Sequence, residues 1–236
     1  MKKTSAAAFT LIELLIVITI IAVLASIALP AFTGVKERGD QTKDLSNAKQ
    51  VALALRQFAI DNNGTYPSKA PAADYSAAPA TQPATSNDAL WWLFPNYLQS
   101  EQIFATAGSA FTPGNPDNKL DPANATTRSD TLKQGENSFA YVSGLTDTAN
   151  PTFPLIADGF VPGSPGTYET NKSLPGGVWA AKKAIVVFCD ASGQIVKVDQ
   201  STKTVQRTNS SGTKVNMFLP ATDWFDGTAN PVLNPQ

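Results

Sequence analysis

One carboxylate sits where an apolar helix has to be. From Phe9 to Phe32 the chain has four polar side chains, Thr10, Glu13, Thr19 and Ser26, and only Glu13 ionises. A charge in such a helix costs about 2.5–3.5 kcal/mol at mid-membrane and less near an end. Two kinds of chemistry make it tolerable. Close to the interface the side chain reaches toward headgroups and is favoured by the helix N-terminus. Alternatively, another chain supplies a cation. The small residues Ala6, Ala7 and Ala8 precede the run. Hydrolysis after Ala8 would leave a free α-amino group on Phe9, four residues before Glu13. A neighbouring copy shifted along the axis could then set its amine against this carboxylate. In an apolar bundle such a pair specifies register.

The element that must position these groups is a helix. Twenty-four residues rise roughly 36 Å, enough for a hydrocarbon core of about 30 Å. Lys2 and Lys3 precede the run and hold the N-terminus in the cytoplasm, although Lys36 and Arg38 beyond it weaken the asymmetry. A secretory signal places small residues after a shorter apolar region. Here they come first, so cleavage at Ala8 leaves the helix on the mature chain.

The stretch Phe9-Thr10-Leu11-Ile12-Glu13-Leu14-Leu15 resembles the class III signal of type IV pilins and type II secretion pseudopilins. The resemblance implies cleavage between Ala8 and Phe9 by a prepilin peptidase, N-methylation of Phe9, and pairing of Glu13 with the terminal amine of an adjacent subunit. The family usually has Gly before the cut, where this chain has Ala8. Pro30 stands where the family commonly has a helix-kinking proline. From the residue itself, Pro30 lacks an N–H and crowds the carbonyl of Ser26. It is either a tolerated kink or a weak point that lets the helix bend in a packed filament.

Beyond Asp40 the pattern becomes amphipathic. Leu45, Ala48, Ala52, Leu55 and Ala59 recur at spacings of three and four, with Val51 and Phe58 beside them. Asn62, Asn63 and Gly64 followed by Pro67 mark a helix end. Together with the apolar run this predicts one helix of roughly 54 residues, about 80 Å long. Leu53 and Ile60 fall off the stripe. They form either a helix edge covered by the rim of a sheet, the preferred reading, or a second face used between subunits. The run Ala54-Leu55-Arg56-Gln57-Phe58-Ala59 and the later Asn63-Gly64-Thr65-Tyr66-Pro67 are also similar to pilin and pseudopilin sequences.

The remainder reads as helix first, strands after, an α+β order. Residues 70–89 and 112–136 read as long loops. Ser86, Asn87 or Asp88 is expected to cap a short helix through Trp91, Trp92 and Leu93. The paired tryptophans fit core or interface mass better than carbohydrate stacking. Strands are expected at 139–142, 153–157, 184–188, 195–198, 204–207 and 214–218, with a hairpin turn through Asp190-Ala191-Ser192-Gly193. A long helix on an antiparallel sheet is also the fold the resemblance implies.

Composition removes several chemistries. The chain has 236 residues, no histidine and one cysteine, Cys189. Ser-His-Asp triads, Cys-His dyads, histidine metal or haem ligation, an intrachain disulfide and CxxC sites are therefore excluded. Cys189 reads as inert core. Eighteen basic residues against nineteen acidic give no support to a nucleic-acid partner. Asp223 and Asp226 lie near the end, where some pseudopilins hold calcium. They are read as a solvated turn, as are Asp158-Gly159 and Asp190. No acid–base pair, phosphate loop or metal cluster stands out, so no catalytic residue, cofactor or metal is assigned.

The expected organisation is a leader at 1–8, a membrane-spanning assembly helix at 9–32, its amphipathic continuation at 33–64 and a soluble domain at 65–236. The expected function is a structural subunit of a type IV pilus or type II secretion pseudopilus, and not an enzyme. Its partners would be copies of itself or other pilins, prepilin peptidase, an inner-membrane assembly platform and lipid. The precursor would be a single-pass inner-membrane protein, and the assembled form a periplasmic or extracellular filament. The alternative is a membrane-anchored enzyme or binding module on an uncleaved signal anchor.

Overall fold

The structure is a computed structural model that describes residues 9–71, 75, 81–122, 125, 127–219 and 230–236, with the side chains of Pro30 and Ala31 apart. It divides into two units, Met1–Asp40 and Gln41–Gln236. The long helix α1, Leu11–Asp61, runs through the boundary between them.

In the first unit, from Leu14 to Leu29, α1 carries apolar side chains on every side. All the large apolar side chains from Leu11 to Leu29 are exposed, and the helix is long and apolar enough to cross a membrane. Helical structure continues through position 30.

In the second unit the remainder of α1 shows the expected stripe. Ala48, Val51, Ala52, Leu55, Phe58 and Ala59 are buried in one core with the sheet. Leu53 and Ile60 are 54% and 76% exposed. The rim of the sheet does not cover them, because the core contacts lie along the 48–52–55–59 side. The helix ends two residues earlier than Asn63. Asn63 takes the left-handed conformation, with φ 54°, and Gly64 follows at φ 77°. The Gly64 N–H then donates to the Ala59 carbonyl at 2.8 Å, satisfying an end group of the helix.

The sheet is antiparallel throughout, in the order β4-β3-β2-β1-β7. Its strands are β1 Phe139–Val142, β2 Pro154–Asp158, β3 Lys183–Phe188, β4 Gly193–Lys197 and β7 Val232–Leu233. A separate ribbon pairs β5 Gln206–Thr208 with β6 Lys214–Asn216. The β3–β4 hairpin forms at the expected turn. β1 and β2 are buried at every position, with Phe160, Tyr168, Trp179 and Phe218 from the connecting segments in the same core. This is an α+β fold, a long N-terminal helix with an antiparallel sheet, as expected. Two details differ. β7 has no counterpart among the expected strands, since two residues carry no periodicity. The short helix α2, Ser86–Leu90, is capped by Thr85, one residue before the expected candidates. Asp88 serves instead as the returning partner of that cap.

Candidate functional site

The first turn of α1 is built by a reciprocal cap. The hydroxyl of Thr10 accepts from the Glu13 N–H at 3.3 Å, while the Glu13 carboxylate accepts from the Thr10 N–H at 2.9 Å and its hydroxyl at 2.6 Å. The signal is legible in the sequence as Thr-x-x-Glu before an apolar run. Farther along, the Thr19 hydroxyl donates to the Leu15 carbonyl and the Ser26 hydroxyl to the Val23 carbonyl, both at 2.7 Å. The helix thus supplies partners for its hydroxyl groups, but for the charge of Glu13 it offers only neutral donors. Phe9 is exposed next to this turn. Ala8, the other side of the expected cleavage, lies outside the described residues, as does the Pro30 side chain.

In the second unit the acidic residues divide by environment. Asp190 accepts from the Ser192 N–H at 2.8 Å and is an exposed turn residue. Asp158, expected in a solvated turn, is 1% exposed. It closes β2, and its Oδ2 accepts from the Trp179 indole at 2.9 Å and the Ile185 N–H at 2.7 Å. Burial pushes its carboxyl up to about 7, against the pull of those two donors. Reading Asp-Gly as a turn fails here because the strand carries Asp158 inward before the chain turns. Asp223 and Asp226 lie outside the described residues.

The loop after Trp92 is organised by Asp121. Burial opposes its charge, but donors from Ser129, Trp91, Thr131 and Asp130 outweigh that and hold its carboxyl well below the usual range. Trp91 and Trp92 meet edge to face with centroids 4.9 Å apart. The Trp92 indole donates to the Lys69 carbonyl, so both N–H groups are engaged within the fold. Cys189 is buried, which raises its thiol to about 12 and makes it a poor nucleophile.

Glu101, Asp117 and Glu136 come together from a 3-10 turn at Glu101–Phe104 and two loop positions. One carboxylate oxygen from each lies within 4.8 Å of the others. The sequence spacing of sixteen and nineteen residues hid this group, since only the loop path closes it.

Residues 3–29 match the family described as the prokaryotic N-terminal methylation motif. The chain is similar to the type II secretion system core protein G of several bacteria. It is 40% identical to that of Aeromonas hydrophila over 63 residues, 27% of this chain and 44% of the relative. The Pectobacterium carotovorum protein is 43% identical over 60 residues, 25% and 38% of the two chains. The Escherichia coli K12 protein is 42% identical over 55 residues, 23% and 38%. The chain therefore spans less than half the length of these relatives. No solved structure matches it.

Proposed function

We propose that this chain is the precursor of a structural pseudopilin subunit of a type II secretion system. It enters the inner membrane with its N-terminus in the cytoplasm. Prepilin peptidase hydrolyses the Ala8–Phe9 peptide bond, and the new Phe9 amine is methylated. An assembly platform then draws the chain into a filament of its own copies or related pilins, exposed on the periplasmic side.

The observation that carries this reading is the solvent-facing apolar helix from Leu11 to Leu29 with one carboxylate at its start. Such a surface needs lipid or sister helices around it. In the precursor, lipid covers it and Glu13 sits near the headgroups, with Thr10 as its local partner. In the filament, sister helices replace lipid, and the Phe9 amine of one subunit meets Glu13 of the next. That ion pair fixes the axial step between subunits, because apolar packing alone tolerates sliding. The similarity to core protein G favours a secretion pseudopilus over a surface pilus. Ala8 is small enough for the cleavage position, so processing proceeds without the usual glycine.

The test is Glu13→Ala in the native host. Membrane insertion and folding of the second unit are expected to persist while filaments disappear. Normal filaments would remove the charge-pair argument. N-terminal mass analysis tests processing separately: a methylated chain beginning at Phe9 is expected, and a mature chain beginning at Met1 is the adverse result.

A further inference from the structure

We propose that the cavity beside the C-terminal turn of α1 binds a small quaternary ammonium ion. The cavity has a volume of about 290 Å³ and is lined by the rings of Phe58, Tyr75, Trp91, Trp92, Phe94 and Tyr97. The carboxylates of Asp61 and Asp121 lie in the same wall, and among the described residues no lysine or arginine lines it. The rings are braced against one another. Phe58 meets Tyr75 edge to face with centroids 5.0 Å apart, and Tyr75 meets Trp92 in the same way at 5.0 Å. The face of an aromatic ring carries partial negative charge and attracts cations. Tyr75 already does so within the fold, since the Lys69 ammonium lies 5.1 Å from its ring centroid.

Negative potential reaches this cavity from two further sources. Neither Asp61 nor Asp121 forms an ion pair with a lysine or arginine among the described residues. Asp121 stays charged despite its burial, because Ser129, Trp91, Thr131 and Asp130 donate to it. α1 ends at Asp61 with no basic residue in its last turn. The carbonyl end of a helix acts as about half a negative charge and favours a cation. A sugar would also stack on such rings, but it needs hydrogen-bonding groups that are still open. Here they are engaged: the Trp91 indole donates to Asp121 at 2.9 Å, the Trp92 indole to the Lys69 carbonyl at 2.8 Å and the Tyr97 hydroxyl to Asp61 at 2.7 Å. Charge and ring surface are what the cavity offers. A quaternary ammonium asks for no hydrogen bond and sets its methyl groups against rings, whereas a hard metal ion would meet rings where it needs oxygens. Asp61 is exposed and Tyr75, Trp92 and Tyr97 are half-buried, so a ligand reaches the rings from solvent.

The experiment uses the full chain in micelles of a polyoxyethylene detergent, whose headgroup carries neither charge nor sugar. Choline chloride is titrated at neutral pH and constant ionic strength, beside its uncharged analogue with carbon in place of nitrogen, and beside glucose. Tryptophan fluorescence and calorimetry are the readouts, and filament assembly is not involved, so the result is separable from the proposed function. Choline is expected to give a saturable response, with the uncharged analogue and glucose about tenfold weaker or more. Asp61→Asn removes one charge at the exposed rim while its amide oxygen still accepts from Tyr97, and should weaken choline about fivefold. Trp92→Leu removes one ring and should weaken choline about tenfold, whereas Glu169→Gln at the surface should leave the response intact. If Trp92→Leu does not fold, Asp61→Asn decides alone. Phosphocholine carries the same cation next to an anion. Weaker binding than choline, the expected result, assigns the cavity to a free cation, and tighter binding assigns it to a lipid headgroup bearing that cation. No choline response, an equal response to the uncharged analogue, tighter binding of glucose, or undiminished binding by Asp61→Asn overturns the proposal.

Discussion

The Glu13 carboxylate and Thr10 satisfy each other across the first turn of α1, the carboxylate accepting from both the N–H and the hydroxyl of Thr10. One side chain thus has two uses: it caps its own helix and, in the proposed filament, receives a neighbour's amine. The cap holds Glu13 in a fixed place before any neighbour arrives.

The two uses separate by mutation. Thr10→Ala removes the cap and is expected to cost about 0.5–2 kcal/mol of helix-start stability. Faster amide hydrogen exchange at residues 11–14 in micelles would report it, while filaments still form because the charge remains. Glu13→Gln keeps an acceptor for Thr10 but loses the charge, so slow exchange with no filaments is expected.

Asp158 makes stability depend on pH. Its folded value near 7 lies above the ordinary carboxylate value of 3.8. The unfolded chain therefore releases this proton first as pH rises. The contribution is fully present below about pH 4, is lost as pH rises to about 7, and is constant above. Glu101 adds a slope of the same sign. Asp158→Asn is expected to flatten part of the fall in thermal midpoint between pH 4 and 7, because the amide oxygen still accepts from Trp179 and Ile185. Asp158→Ala should cost about 2–4 kcal/mol at pH 5 by leaving those two N–H groups without an acceptor. Denaturant unfolding at several pH values checks both.

Gly177 seats the segment that delivers Trp179 to Asp158. A Cβ there would fall 1.9 Å from the Asn171 carbonyl oxygen and 2.9 Å from that of Leu174. Backbone cannot step aside as a flexible side chain can. Gly177→Ala is expected to destabilise the second unit by about 3 kcal/mol, measured by denaturant unfolding, with the Trp179 fluorescence changing before the rest of the fold.

Leu53 and Ile60 are exposed one heptad apart, with Lys49 and Arg56 three or four residues away in sequence. Replacing both with serine should leave folding within about 0.5 kcal/mol per site, as surface changes do. If this face meets a neighbouring subunit, sheared filament yield falls. Unchanged filaments together with unchanged folding would make the pair ordinary surface.

Much of this molecule was legible from its residues. A run of apolar residues interrupted by one acid, a stripe at spacings of three and four, and β-branched runs separated by glycine turns are local patterns, and they fixed α1, β1 to β6 and the hairpin. Local reading failed where a residue's neighbours come from far away in the chain. Asp158 follows a strand and precedes a glycine, which reads as a solvated turn, yet Trp179 and Ile185 enclose it. Leu53 and Ile60 read as a covered edge, and no strand among the described residues covers them. Glu101, Asp117 and Glu136 are unremarkable in sequence and become a group only when a turn and two loops close around them.

Thus the chain by itself determined where helix and strands form and that one carboxylate stands at the start of an apolar helix, because propensity, periodicity and capping act within a few residues. Only the tertiary structure decided which acids are buried and which meet, because burial and electrostatics depend on distance in space and not on separation along the backbone.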